Sequence, residues 1–177
     1  MGEQLTLRPF TEDDLGFLRR LDTDPTALGP FEWAGFTAAH ARCRRWEADG
    51  YVSPTSTALA VAGPDDTVVG IASWEARTRG GPVGACFEIG LALLPEHRGH
   101  GWGFAAQSML VRYLFSFTMA NRLEAQTDAE NVPEQAVLER IGFRREGVLR
   151  GVRFRHGVWR DMMIYGLLRD EVTLSPE

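Results

Sequence analysis

Lysine is absent from this chain: all 19 basic residues are arginine. A P-loop needs lysine after its last glycine to reach the phosphates of a nucleotide, so nucleotide hydrolysis by that device is excluded. Cysteine is scarce. Cys43 and Cys86 stand far apart in sequence without metal-ligand spacing, and buried thiols are expected rather than a disulfide. His40, His97, His100 and His156 follow no metal pattern, and neither G-x-S-x-G nor H-E-x-x-H occurs. No metal is therefore expected, and the histidine-to-nucleophile classes lack support. Long apolar runs are also missing. The longest, "FAAQSMLVRYLFSFTMA", is broken by Gln107, Arg112 and two serines and reads as a buried helix, so no membrane span is expected. The N-terminal "MGEQLTLRPF" lacks a basic-then-apolar pattern, which predicts no export and a cytoplasmic protein.

What remains is ordinary for a globular protein. With 177 residues, 44% hydrophobic and 24% charged, the chain suits one well-cored domain, taken as residues 1–177. The formal net charge of -5 argues against nucleic acid as a partner and is compatible with a cationic or amine-bearing one.

Hydrophobic periodicity divides the chain into α and β segments. "LTLRPF" alternates as a short strand, and "TEDDLGFLRRL" starts a helix, with Thr11 as cap and Asp14 at the third helical position. "TAAHARCRRWEADG" reads as a second helix ending at Gly50. Three strands follow, "TALAVAG", "VVGIASWEA" and "ACFEIGLALL", joined by short turns as an antiparallel meander. A long helix over about residues 101–119, the strand "RLEAQTD", the helix "NVPEQAVLERIG" and the strands "FRREGVLRGVRF" and "VWRDMMIYGLL" complete the pattern, with a hairpin turn at His156-Gly157. The fold class is α+β, with a mixed sheet flanked by helices.

One stretch departs from the thrift with which glycine is used inside regular structure. "LLPEHRGHGWGFAAQ" places Gly99, Gly101 and Gly103 between a strand and a helix. Strand, glycine turn and helix together aim backbone N–H groups and the positive end of a helix dipole at one point, a site suited to phosphate. "GWGFAA" also fits the dinucleotide form G-x-G-x-x-A, with Glu124 about where a ribose-binding acid belongs. Against this, the upstream strands are hairpin-connected, and Pro95-Glu96-His97 separates strand from glycines by more than that tight turn allows.

"RGHGWG" has the third form, R-x-x-G-x-G, the pyrophosphate loop of acyl-coenzyme A enzymes. Here the sequence resembles the GNAT N-acetyltransferases, in particular their RimJ/RimL branch. The resemblance spans nearly the whole chain, through "LTLRPFTEDDLGFL", "FEIGLALLPEHRGHGWG", "NVPEQAVLERIGFRREGVLR" and "HGVWRDMMIYGLL". It implies a GNAT-type acyl-CoA N-acyltransferase fold with a central mixed, mostly antiparallel sheet, and acetyl-CoA as cosubstrate. In that family the strand before the loop is split from its neighbour by a bulge, and its exposed backbone pairs with the pantetheine arm. By position this falls on Leu91, Ala92 and Leu93, with Gly90 marking the bulge or close approach. The pyrophosphate would take the amides of Arg98, Gly99, His100, Gly101, Trp102 and Gly103.

Transfer of an acetyl group to an amine needs a base for the amine and benefits from an acid for the departing thiolate. Glu88 matches the catalytic glutamate of related histone-modifying enzymes; the bland alternative is a strand glutamate held by a neighbouring arginine. Asn131 matches an asparagine that in relatives contacts coenzyme A or a bound water, and it equally suits a helix cap with Glu134 reaching back. The chain departs from its branch in carrying Glu134 where N-x-x-S is usual, and from other GNAT enzymes in carrying Leu138 where a tyrosine is usual. Glu134, Tyr165 or solvent are left as sources of the acid. Phe31, Glu32 and Trp33 are the candidate acceptor wall, with core packing as the alternative. Asp161 is expected to bond backbone or an arginine, and Arg150, Arg153, Arg155 and Arg160 to pair with carboxylates. The implied activity is direct acetyl transfer to a small-molecule amine or a protein N-terminal α-amine, by a monomer or homodimer. A catalytically weak acyl-CoA-binding or regulatory module is the alternative.

Overall fold

The computed structural model describes residues 5–33 and 35–172. In chain order these form β1 (Thr6–Arg8), α1 (Leu15–Thr23), α2 (Ala41–Asp49), β2 (Ser56–Ala62), β3 (Val68–Ala76), β4 (Cys86–Leu93), α3 (Trp102–Phe117), β5 (Arg122–Asp128), α4 (Val132–Ile141), β6 (Arg144–Arg155) and β7 (Val158–Leu168). The strands make one seven-stranded sheet in the order β1-β2-β3-β4-β5-β7-β6. Every neighbouring pair is antiparallel except β4 and β5, which are joined by the crossover helix α3 and run parallel.

The period-2 alternation of β2 shows why both faces of the sheet are covered. Leu59 and Val61 join one core with Phe87, Ile89 and Leu93 of β4, Ala106, Leu110 and Leu114 of α3, and Leu138 of α4. Ala58 and Ala60 point the other way, into a second core with Phe10, Leu18 of α1, Cys43 of α2 and Tyr51. In α3, the fourfold spacing of Ala106, Leu110 and Leu114, all fully buried, lays one stripe along the sheet. Both cysteines are buried free thiols.

The meander, the two helices after it and the closing hairpin follow the sequence pattern. His156 and Gly157 both have positive φ (50° and 78°), the mirror-image turn that suits the twist of a hairpin. At the start of α1, the Thr11 N–H donates to Asp14 Oδ2 at 2.8 Å, the reach-back half of the expected cap. The second helix begins later than its sequence pattern predicts, at Ala41 rather than near Thr37. Buried Asp22, on α1, accepts from the Arg42 N–H at 3.0 Å and from the Thr37 hydroxyl at 3.1 Å. A tertiary partner thus caps α2 and sets where it starts.

Candidate active site

The strands β4 and β5 begin as a pair and end apart. Cys86, Phe87, Glu88 and Ile89 face Arg122, Leu123, Glu124 and Ala125, and pairing stops there. Beyond that point β4 stays in register with β3 as far as Gly70↔Leu93, while β5 follows β7 to Asp128↔Met162. Each strand keeps its outer partner, and sheet twist carries the two apart. From Gly90 to Leu93, the edge of β4 facing β5 has no strand partner. The expected bulge is absent: the β3–β4 register is unbroken, so divergence makes the notch. Gly90 meets the expectation of close approach instead, since a Cβ there would stand 3.1 Å from Ser73 Oγ.

The glycine loop lies at the open end of this notch. Gly99 (φ 82°) and Gly101 (φ 79°) adopt left-handed backbone, and a Cβ on either would meet nothing within 4 Å, so the loop presents bare backbone to open space. The Ala105 N–H donates to the Gly101 carbonyl as the first bond of α3. The amides of Trp102, Gly103 and Phe104 are therefore the unsatisfied first turn of that helix, at its positive end. Trp102 stacks on His97, with ring centroids 5.5 Å apart. The Arg98 side chain turns away from this loop. Its Nε and Nη2 donate to the Leu93 carbonyl at 2.9 and 2.7 Å, and Nη2 to the Ala27 carbonyl at 3.2 Å, tying the end of β4 to the segment after α1.

On the α1/α2 face, beside the apex of the notch, stands Glu88. Arg77 Nε donates to its Oε2 at 2.9 Å and Gln126 Nε2 donates to the same oxygen at 3.1 Å. Oε1 is left without a hydrogen-bond partner among the described residues. Glu88 also lines a cavity of about 250 Å³, floored by Ser56–Ala58, Ser73–Glu75 and Glu88–Gly90 and bounded by Arg45 of α2. The paired stem of the notch is clamped by Glu124. It accepts two bonds from Arg79, at 3.1 and 2.7 Å, and one from Arg122 at 2.8 Å, while Arg122 also pairs with Glu146. Burial alone would raise the Glu124 carboxyl, but the arginine bonds prevail and hold it down at about 2.

A model of the GNAT acetyltransferase domain matches residues 4–144 of this sequence. The chain belongs to the GNAT acetyltransferase family. Along nearly its whole length it is similar to a SPbeta prophage-derived N-acetyltransferase, YokL, of Bacillus subtilis, with 25% identity over 98% of this chain and 95% of that protein. It is also similar to the ribosomal protein uS5-alanine N-acetyltransferase of Escherichia coli, with 27% identity over 62% of this chain and 56% of that one. Several other curated relatives match over only about half of their length. Among solved structures, spermidine N-acetyltransferase from Vibrio cholerae, in complex with CoA and spermine, shares the fold. Its TM-score is 0.83 at 18% identity, with 95% of this chain and 97% of that chain covered.

In this acetyltransferase the remaining predicted residues fall into three places. Asn131 and Glu134 stand at the start of α4, just past the end of β5, but they do not form the expected capping box. The Asn131 amide donates to Thr127 Oγ1 at 3.1 Å, and Glu134 Oε1 accepts from Gln107 Nε2 of α3 at 2.8 Å. A partner on the neighbouring helix has claimed the carboxylate that would have reached back. Burial raises the Glu134 pKa, the Gln107 bond opposes that rise, and the charge of Glu32 adds to it. Tyr165 lies fully buried in the main core, its hydroxyl donating to Glu139 Oε1 at 3.2 Å. Phe31 and Glu32 lie along the β6–β7 hairpin: Arg153 donates to Glu32 at 3.0 Å, and the Arg155 guanidinium sits 5.1 Å from the Phe31 ring centroid, whereas Trp33 meets the Phe36 ring edge-on with centroids 5.4 Å apart.

Three of the four hairpin arginines, Arg153, Arg155 and Arg160, are paired with carboxylates as expected, and Arg150 has no carboxylate partner among the described residues. Arg155 bridges Asp128 and Glu130, at 2.9 and 3.3 Å, and Arg160 reaches Glu130 at 2.5 Å. Asp161 bonds backbone, accepting from the Gly151 N–H at 2.8 Å. Arg77 is an arginine of the kind the alternative reading of Glu88 expects, while sequence reasoning missed Gln126 behind Glu88, Gln107 behind Glu134, and Arg45 at the cavity. Among the described residues no cluster of His, Cys, Asp and Glu could hold a metal ion, and no helix is long and apolar enough to cross a membrane.

Proposed function

We propose that the protein transfers an acetyl group directly from acetyl-CoA to a primary amine, without a covalent acyl-enzyme, and that the whole chain acts as one such unit. The observation that carries this reading is the notch after Ile89↔Ala125, with unpaired backbone on one wall, the glycine loop at its mouth and Glu88 beside its apex. The residues present fit the cosubstrate. Leu91, Ala92 and Leu93 offer strand-edge groups to an amide-bearing arm, and the amides from Gly99 to Gly103 offer donors to a pyrophosphate, the Arg98 N–H being taken by the Pro95 carbonyl at 3.2 Å. The cosubstrate supplies an activated thioester.

Everything else falls to this chain. Glu88, anchored through Oε2 by Arg77 and Gln126, keeps Oε1 available to take the proton that the attacking amine must lose. Glu134, inclined by burial toward its neutral form, returns a proton to the departing sulfur, so the N–C bond forms as the C–S bond breaks. Tyr165 is spoken for by Glu139 and serves the core. Kinship to the RimJ/RimL branch is supported by the likeness to the uS5-alanine enzyme.

The test is thiol release from acetyl-CoA across a panel of amines and N-terminal peptides. Glu88→Gln is expected to lower kcat by about 10²- to 10⁴-fold, the usual contribution of a general base, with CoA affinity retained. An acyl-enzyme seen by intact mass, or a Glu88→Gln variant with full turnover, refutes direct base-assisted transfer. Tight CoA binding by the wild type with no turnover on any amine favours the binding-module alternative.

A further inference from the structure

The cavity beside Glu88 has a charge pattern that selects among amines. Its floor is a register-matched row: Ser56 of β2 faces Glu75 of β3, which faces Glu88 of β4, with Ala58, Ser73 and Gly90 in the parallel row beside them. Arg77 pairs with both acids, through Nε to Glu88 at 2.9 Å and through Nη2 to Glu75 at 3.3 Å. On the opposite side Arg45 donates to Ser56 Oγ at 2.9 Å, and its guanidinium lies 4.7 Å from the Tyr51 ring centroid. The charged residues that line the cavity are therefore Glu75 on β3, Glu88 on β4 and Arg45 at the β2 end, with Arg77 pairing with both acids from outside the lining. Gly90, where β4 leaves β5, lines the same cavity and carries no side chain.

We propose that this cavity is the acceptor site, resting on the acetyl-transfer reading above, and that it selects a small zwitterionic amine of the amino-acid class. The amine is received by Glu88 and Glu75, and the carboxylate by Arg45. A polycation would meet Arg45 and gain nothing from it, and an anionic amine would meet the acids. Counting Arg77, which pairs with both acids, the charges around the cavity cancel but are separated in space, and they complement a molecule with the same property. Ser56 and Glu88 are two strand spacings apart, about 10 Å, which after a hydrogen bond at each end suits a charge separation of a few atoms. A volume of about 250 Å³ accommodates one amino-acid-sized molecule.

The experiment compares the proteinogenic L-amino acids with their carboxamides, alongside spermidine and N-terminal peptides, by thiol release from acetyl-CoA using the full chain. Wild-type protein is expected to favour an amino acid over its amide by about 10- to 100-fold in kcat/KM, the size of one charge-assisted hydrogen bond. Arg45→Gln is expected to bring that ratio to about one by raising KM for the acid, and Arg45→Lys to restore part of it. A melting curve for each variant separates loss of selectivity from loss of fold. Equal use of acid and amide by the wild type, turnover confined to spermidine or peptides, or a ratio unmoved in folded Arg45→Gln overturns the zwitterion site while leaving acetyl transfer intact. Absence of turnover on every amine overturns the transfer reading itself.

Discussion

Arg98 opens the R-x-x-G-x-G motif, and the structure gives its side chain work away from the phosphates. The perturbation is Arg98→Met, which keeps an apolar stem and removes the fork. Three N–H···O contacts are lost, to the Leu93 carbonyl at 2.9 and 2.7 Å and to the Ala27 carbonyl at 3.2 Å. A charged donor to a carbonyl is worth about 1.5–3 kcal/mol when buried, and less here because Arg98 is itself an exposed residue. Removing the charge also relieves the burial that pulls its pKa down. A net loss of about 2 kcal/mol is expected, and for a chain of this size that lowers Tm by about 4–8 °C. CoA affinity, measured by calorimetry well below Tm, should fall by no more than about threefold, since the amides and not the guanidinium face the ligand. An unchanged Tm with CoA affinity lost tenfold or more would refute the assignment and make the guanidinium a phosphate ligand.

Two further outcomes follow from the stem and wall of the notch. Glu124 is depressed to about 2 from an ordinary 4.5, so the stability it contributes is complete above about pH 4.5 and is lost as pH falls toward 2. Its ceiling is on the order of 3 kcal/mol, and acid titration of Glu124→Gln by circular dichroism should show less pH dependence in that window than wild type. Gly70 faces Leu93 across β3 and β4, and a Cβ there would stand 2.5 Å from both the Ala92 carbonyl oxygen and Leu93 Cδ2. Gly70→Ala must shift the β4 backbone, at about 1–3 kcal/mol, and should weaken CoA binding although residue 70 lies outside the notch. Retained affinity in that variant would sever the link between the β4 edge and cosubstrate binding.

Much of this architecture could be read from local pattern because local physics decides it. The alternation of "TALAVAG" and the fourfold spacing in "FAAQSMLVRYLF" encode which face meets a core, and the bounds of β5 and β7 coincide with the runs "RLEAQTD" and "VWRDMMIYGLL". The positive φ angles at Gly99 and Gly101 were legible for the same reason, since glycine is the residue that adopts them without cost.

Other features depend on which strands and helices become neighbours. Asn131 and Glu134 have the spacing of a capping box, yet Thr127 and Gln107 claim their side chains, because the ends of β5 and α3 lie within reach. Asp22 is an unremarked helix residue until α2 folds across it and takes it as a cap. Glu88 could be picked out as an acid on a central strand, but Arg77 and Gln126, which commit one of its oxygens and spare the other, are eleven and thirty-eight residues away.

The division has one cause. Periodicity, turn chemistry and the glycine motif are properties of neighbouring residues, so the amino-acid sequence by itself determined most of the elements and their α+β class, and the resemblance of its motifs to the GNAT family implied the fold and the donor. The notch, the spared oxygen of Glu88 and the opposed charges of the acceptor cavity arise only where four strands and α2 are brought into register. That registry depends on contacts between residues distant along the chain, and the tertiary structure alone decided it.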